Sequence, residues 1–242
     1  MALLGRHRLK SHGGLPQGST NNLGATLAFY LQNNVGVAVG EWTDQSTNTN
    51  DITQATAGDQ AALAEGGLDF ELSEGDHYDF DSQIDITAQH GFAIFLMCKI
   101  ESMGDNTCIL GLNSSAHFFE LKGGNDVVRV RLASTTTTVT PDDTNLFANG
   151  EKFLVTLARD GGGTGNLILY KNGVILSQAT AGQAANSGDG EFITVGTRIG
   201  NDRFLDGIVH ELAMIDMGAT TNVPSDTIDR INTYLLSKHG IN

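Results

Sequence analysis

The 242-residue chain carries 14 Lys and Arg against 28 Asp and Glu, a formal net charge of −14, together with 30 glycines and only three prolines. Most of such a surface repels a polyphosphate, which argues against nucleic acid as a partner. No apolar run approaches the roughly 20 residues that a membrane-spanning helix needs. Glycine at this frequency points to short elements joined by tight turns.

Residues 1–10 hold Arg6, Arg8 and Lys10 and no acid, and the stretch up to Gly24 is rich in Gly, Ser and Asn. Neither segment can bury much apolar surface. Residues 1–26 are therefore read as an extended basic arm that anchors to an acidic protein partner through Arg6, Arg8 and Lys10, and residues 27–242 as one domain. The first ten residues lack the apolar stretch of a secretory signal. Ala25–Leu31 fits a short helix and a strand equally well. Gly40–Gly67 is polar, with many Thr, Asn, Gln and Asp, and is either a functional loop or a set of short strands.

From Leu68 onward the pattern is β. Phe92–Ile100 is an apolar run of strand length, and Cys108–Leu112, His117–Leu121 and Val127–Leu132 follow at short spacing. In the last of these Val128, Val130 and Leu132 take one face, and Arg129 and Arg131 take the other. The two arginines are read as a solvated stripe or as a contact for an acidic partner. Thr135–Val139 reads as an edge strand. Lys152–Arg159 alternates as well, and Asn166–Tyr170 runs into Lys171-Asn172-Gly173-Val174, where Asn-Gly between apolar runs predicts a type I′ hairpin. Phe192–Val195 and Gly207–Asp216 complete the strands. One helix is predicted from about Ser225, with Ile228, Ile231, Leu235 and Leu236 on one stripe and Gly240 at its end. Strands at this density predict an all-β, antiparallel jelly-roll β-sandwich with a C-terminal α-helix. Cys98 and Cys108 flank a turn; they are read as two buried thiols, with a cross-strand bridge as the alternative.

Four segments in order carry a family resemblance. Glu41-Trp42-Thr43-Asp44-Gln45-Ser46-Thr47-Asn48-Thr49-Asn50-Asp51 is similar to a Trp-x-Asp-x-Ser-Gly-x-Gly-Asn loop. Leu68-Asp69-Phe70-Glu71-Leu72 with Gly75-Asp76-His77-Tyr78 is similar to a Phe-Asp-Gly-x-Asp-Asp-Tyr segment. Leu169–Gly173 resembles a late hairpin, and Ile208–Asp216 followed by Ile231–Ile241 a closing strand and terminal helix. The chain thus resembles the LamG-like branch of the concanavalin-like lectin/glucanase superfamily. Thr47 and Thr49 stand where that loop carries glycines, so positive φ is costly there. With its terminal Tyr234-Leu-x-x-Lys238-His239-Gly240-Ile241, the resemblance is to LamG-like modules of tailed-phage virions. It implies a non-enzymatic virion structural protein (a capsid decoration, knob, fibre or tail component) made in the host cytoplasm. Its implied partners are other virion proteins of capsid or tail, host-surface glycans and further copies of itself. A glycoside hydrolase of the same fold and a free lectin are the alternatives.

The same residues bear on site chemistry. Hydrolysis needs two convergent carboxyl groups, yet no Glu here has Asp two residues on and Glu five on, the pattern the resemblance would imply. Glu211 and Asp216 are five apart, which places them on opposite faces of a strand. For a metal, oxygen ligands cluster at Asp76, Asp79 and Asp81 and again around Asp44 and Asp51; Ca2+ is the ion such ligands suit, with Asp44 and Asp51 the preferred pair. No other cofactor is expected. For a carbohydrate, Trp42 offers an aromatic face beside the amides of Asn48 and Asn50, whereas a Trp42 that closes the end of the sandwich is the competing expectation.

Overall fold

The apolar run Gly91–Ile100 forms a central strand because both of its faces are covered. Ile94, Leu96 and Cys98 point into the sandwich, and Ala93, Phe95 and Met97 point to the C-terminal helix on the other side. The computed structural model describes residues 26–103, 107–112, 116–122, 127–132, 135–139, 150–161, 166–179, 189–198, 203–218 and 225–241. Arg6, Arg8 and Lys10, and with them the arm, lie outside the described residues.

Numbering strands in chain order, the first sheet runs β15 (Val174–Ala179), β14 (Leu167–Lys171), β13 (Lys152–Arg159), β8 (Gly91–Ile100), β17 (Gly207–Gly218), β6 (Gly67–Phe70) and β5 (Ala62–Ala64), with β1 (Thr26–Leu31) also on β17. The second runs β12 (Thr135–Val139), β11 (Val127–Leu132), β10 (Phe118–Lys122), β9 (Thr107–Gly111), β16 (Gly190–Val195), β7 (Tyr78–Ile86), β4 (Ile52–Thr53), β3 (Glu41–Trp42) and β2 (Val37–Ala38). Neighbouring strands pair antiparallel. The sheets stack as a sandwich, and one apolar core, including Phe70, Phe119, Phe153 and Phe192, fills the space between them. A second cluster packs α1 (Ser225–His239), through Ile228, Ile231 and Leu235, onto the outside of the first sheet. No helix among the described residues is long and apolar enough to cross a membrane.

Alternation resolves the ambiguous segment at the start: Phe29 and Leu31 enter the core while Tyr30 turns to the helix side, so residues 26–31 are a strand. The polar stretch after Gly40 contains three short strands, β3, β4 and β5. The Asn172-Gly173 hairpin is as predicted, with φ of 49° and 77°, and the Asn172 side chain accepts a hydrogen bond from Leu154 N at 2.9 Å. Both cysteines are free: Cys98 lies in the first sheet and Cys108 in the second, so the bridge alternative falls. In β17, Val209 and Leu212 both face the core. The extra residue between them is a β-bulge, which turns His210 and Glu211 together to the outer side.

Candidate functional site

The loop from Asp44 to Asp51 serves the edge of β1. An edge strand leaves backbone groups unpaired, and here side chains take them. Asn48 and Asn50 donate from their amides to Ala28 O (3.2 and 2.8 Å), and Asn48 also donates to Leu27 O. Asp44 accepts from Tyr30 N at 2.7 Å and Ser46 N at 2.8 Å on Oδ1, and from Ser46 Oγ at 2.5 Å and Asn50 N at 2.9 Å on Oδ2. Asp51 Oδ1 accepts from Asp44 N at 2.7 Å. A carboxylate offers about four lone-pair sites; all those of Asp44 are used, so Asp44 has none left for a Ca2+ ion and does not act with Asp51 as a ligand pair. Trp42 is 1% exposed, and its Nε1 donates to Gln32 O at 3.1 Å. It has no free face for a sugar and closes the end of the core, while Asn48 and Asn50 spend their amides on β1. The Trp42–Asn48–Asn50 platform is therefore corrected to a structural plug and clasp. Thr49 does adopt φ 55°, the conformation that costs a β-branched residue most.

Two buried carboxylates hold cations. Glu120, with no exposure, lies on the outer face of the second sheet; Arg129, Arg198 and Arg203 approach it to 3.4, 3.2 and 3.1 Å. Arg129 thus belongs to an internal ion cluster rather than to a solvated stripe, and it shares the Phe118 ring with Arg198. Glu211, under α1, accepts from Tyr30 Oη and from Lys238 Nζ at 2.8 Å on one oxygen and lies 2.6 Å from His239 Nε2 on the other. Burial, and then the Glu211 charge, push the Tyr30 hydroxyl far above its ordinary range. Asp216 leaves the opposite face of β17 and meets His90 at 3.1 Å, so Glu211 and Asp216 do not converge.

A third group of acids lies at an accessible rim. Register sets Asp69 opposite Ile208, and Ile208 opposite Lys99. By period two, Glu71, Asp206 and Glu101 continue the same outward row one step past the ends of β6, β17 and β8. Gly207 lets the strands come this close: its φ is 141°, and a Cβ there would stand 2.3 Å from Lys99 O. Glu101 N donates to Asp206 O at 3.0 Å, and Glu71 N to Asp76 Oδ2 at 2.8 Å, which ties the turn 71–76 to the row. Loss of water contact first, and repulsion between acids second, raise the carboxyls of Asp69 and Glu71; burial also raises that of Asp206, against a backbone hydrogen bond from Leu72 that lowers it. Beside them the half-buried Phe204 ring packs over Gly75 and lies 6.3 Å from the His77 ring. An aromatic face next to carboxylates can hold a sugar, stacking its C–H face while the acids take its hydroxyls. Sequence reading passed over Phe204, Asp69, Glu71, Glu101 and Asp206; the signal was the outward position of each acid in its strand.

No family model matches the chain, and no curated protein does. Solved structures do. Domain 4 of AbnA, an extracellular GH43 arabinanase from Geobacillus stearothermophilus, in complex with arabinotriose, matches with a TM-score of 0.60 at 18% identity, over 86% of this chain and 98% of that one. The binding domain of Paraclostridial Mosquitocidal Protein 1 matches at 0.59 and 14%, over 86% and 52%. A botulinum neurotoxin type C structure, described as entering cells through two ganglioside molecules, matches at 0.52 and 12%, over 87% and 51%. The fold they share with this chain is a two-sheet β-sandwich. The chain spans about half the length of the two toxin chains.

Proposed function

We propose that this chain is a non-catalytic glycan-binding module. The observation that carries the reading is the likeness to the arabinotriose-bound domain 4 of the arabinanase, which is matched over 98% of its own length and 86% of this chain. The rim beside Phe204 supplies the chemistry: one half-buried aromatic ring packed over Gly75, in the turn that follows Glu71, with Asp206 two residues on. The test presents the full chain to immobilised oligosaccharides, arabino-oligosaccharides and sialylated chains among them, in parallel with Phe204→Ala. Retention by wild type and at least tenfold weaker binding by the variant, at an unchanged melting temperature, support the reading. Release of reducing sugar, or no retention of any glycan, overturns it.

The module is further assigned to a tailed-phage virion, mounted on capsid or tail by residues 1–26. Three cations and no acid in the first ten residues of a chain of net charge −14 support an anchor that docks on an acidic neighbour, as does the resemblance of the terminal Tyr234–Ile241 segment. Deleting residues 1–24 is expected to abolish incorporation into particles while leaving glycan retention intact. Particles that still take up the truncated chain refute the anchor.

A further inference from the structure

The seat of α1 on the first sheet contains charge at one end, and one group there is left unsatisfied. Glu211, turned outward at the bulge of β17, holds both basic residues of the last turn of α1, Lys238 at 2.8 Å and His239 at 2.6 Å, and accepts from the Tyr30 hydroxyl as well. His210, turned outward by the same bulge, has no exposed surface, and neither ring nitrogen finds a hydrogen-bond partner of proper geometry. A neutral imidazole offers one donor and one acceptor, so both are sealed here at a cost. The surrounding elements do not relieve it. From α1, the His239 ring stands 5.9 Å away, centroid to centroid. From the turn before β6, Glu65 comes to 3.7 Å of Nε2, but its carboxylate already has Lys152 of β13 at 3.1 Å and Lys99 of β8 at 3.8 Å. Gly67 of β6 backs the residue, where a Cβ would stand 2.9 Å from His210 Cα. Burial first, and then Lys152, oppose a proton on this ring; Glu65, through its charge and its backbone, favours one and does not prevail.

We propose that α1 is an acid-released latch: protonation of His210 lifts the last turn of the helix while the sandwich stays folded, and so bares the apolar strip beneath it. Water can reach the ring by two routes of very different cost. Opening β17 breaks its ladder with β8, which runs from Gly207 to Gly218, and disturbs the core behind it. Lifting α1 leaves that ladder whole, because the helix packs through a cluster of its own, Ile228, Ile231 and Leu235 with Phe95, Met97 and Ile215. The helix is the cheaper route. The direction with pH follows from the ring. With α1 docked, burial lowers the pKa of His210 from 6.5 to about 4; with α1 lifted, it returns towards 6.5. Docking is therefore full above pH 6.5 and weakens as pH falls towards 4. A charged His239 would tighten its own contact with Glu211 but place a second cation beside His210. Because Lys238 already meets the Glu211 charge, the first effect is the smaller. The inference is independent of whether a glycan binds.

The test follows amide hydrogen exchange of the full chain at pH 7.5 and 5.0, each rate divided by the intrinsic rate at that pH to give an opening constant. For one group with the two pKa values above, the opening constant of α1 rises about 25- to 30-fold over this range. Amides of Ile231–His239 are expected to show that rise, and at pH 5.0 to open roughly 100-fold or more above those of Phe95 and Met97 in β8. His210→Leu is expected to cut the rise to about threefold or less, since the titrating ring is gone. Lys152→Gln, at a partly exposed side chain, frees Glu65 to take the His210 proton; it is expected to cut the rise below about tenfold and gives the answer should the first variant not fold. Equal opening constants for α1 and β8 at pH 5.0 would make the opening global and overturn the latch. So would an α1 constant that does not rise with acid, or a rise unaltered in Lys152→Gln.

Discussion

Trp42 separates two ideas of what the polar loop is for, and replacing it decides between them. The indole is almost wholly buried and donates to Gln32 O. Truncating such a side chain to Ala costs about 3–5 kcal/mol through lost burial and the cavity left behind. In a domain of this size each kcal/mol lowers the melting temperature by about 2–4 °C, so Trp42→Ala should melt about 6–20 °C below wild type, read by circular dichroism. Trp42→Phe, which keeps the ring but not the N–H, should recover most of that loss. Because Trp42 is the sole tryptophan, wild-type emission gives a second assay: the spectrum should be that of a buried indole and should not move when a bound glycan is added. A variant that melts with wild type yet no longer binds sugar, or a wild-type spectrum that shifts on titration, would make Trp42 the platform and refute the plug.

Other consequences follow from the buried charges. Removing Glu211 leaves Lys238 and His239 without the carboxylate they share; Glu211→Ala should cost about 3–5 kcal/mol and should speed amide exchange in α1 more than in β8. Equal acceleration in both would show that the carboxylate does not tether the helix. His210 has no exposed surface and faces Glu65, Lys152 and His239, and burial, reinforced by Lys152, lowers its pKa from 6.5 to about 4. The folded imidazole stays neutral where the unfolded one takes a proton, so stability falls as pH drops from 6.5 towards 4, by up to about 3 kcal/mol. His210→Leu should flatten that limb of the stability–pH curve; an unchanged slope assigns it to other groups.

The strands were legible because burial left its period in the sequence. Val128, Val130 and Leu132 against Arg129 and Arg131 state their faces outright, and Asn172-Gly173 states its turn. Residues 26–31 were not, since six residues with apolar side chains on both faces suit a helix as well as a strand covered on both sides. The loop at Asp44 was misread for a different reason. Asp, Asn and Ser in close succession are the residues of an ion or sugar site and equally the residues that satisfy an unpaired strand edge; only the position of β1 decides which. The rim acids show the converse. Leu68-Asp69-Phe70-Glu71, Lys99-Ile100-Glu101 and Asp206-Gly207-Ile208 each reveal an outward acid, but the register that unites them joins segments over 100 residues apart.

How the cations are allotted explains why the rim is short of positive charge. Glu120 draws Arg129, Arg198 and Arg203; Glu211 draws Lys238; Glu65 draws Lys152 and a share of Lys99. These acids compete well because two of them are fully buried, where an unpaired carboxylate costs far more than one in water. Asp69, Glu71, Glu101 and Asp206 lie partly in solvent, where repulsion is screened and tolerable, and so are left with one shared lysine. A ligand reaching this edge therefore meets a negative field. A neutral sugar can approach through its hydroxyls, whereas an anionic one is repelled. Binding of neutral and acidic glycans should consequently diverge as ionic strength is lowered, with the acidic ones lost first.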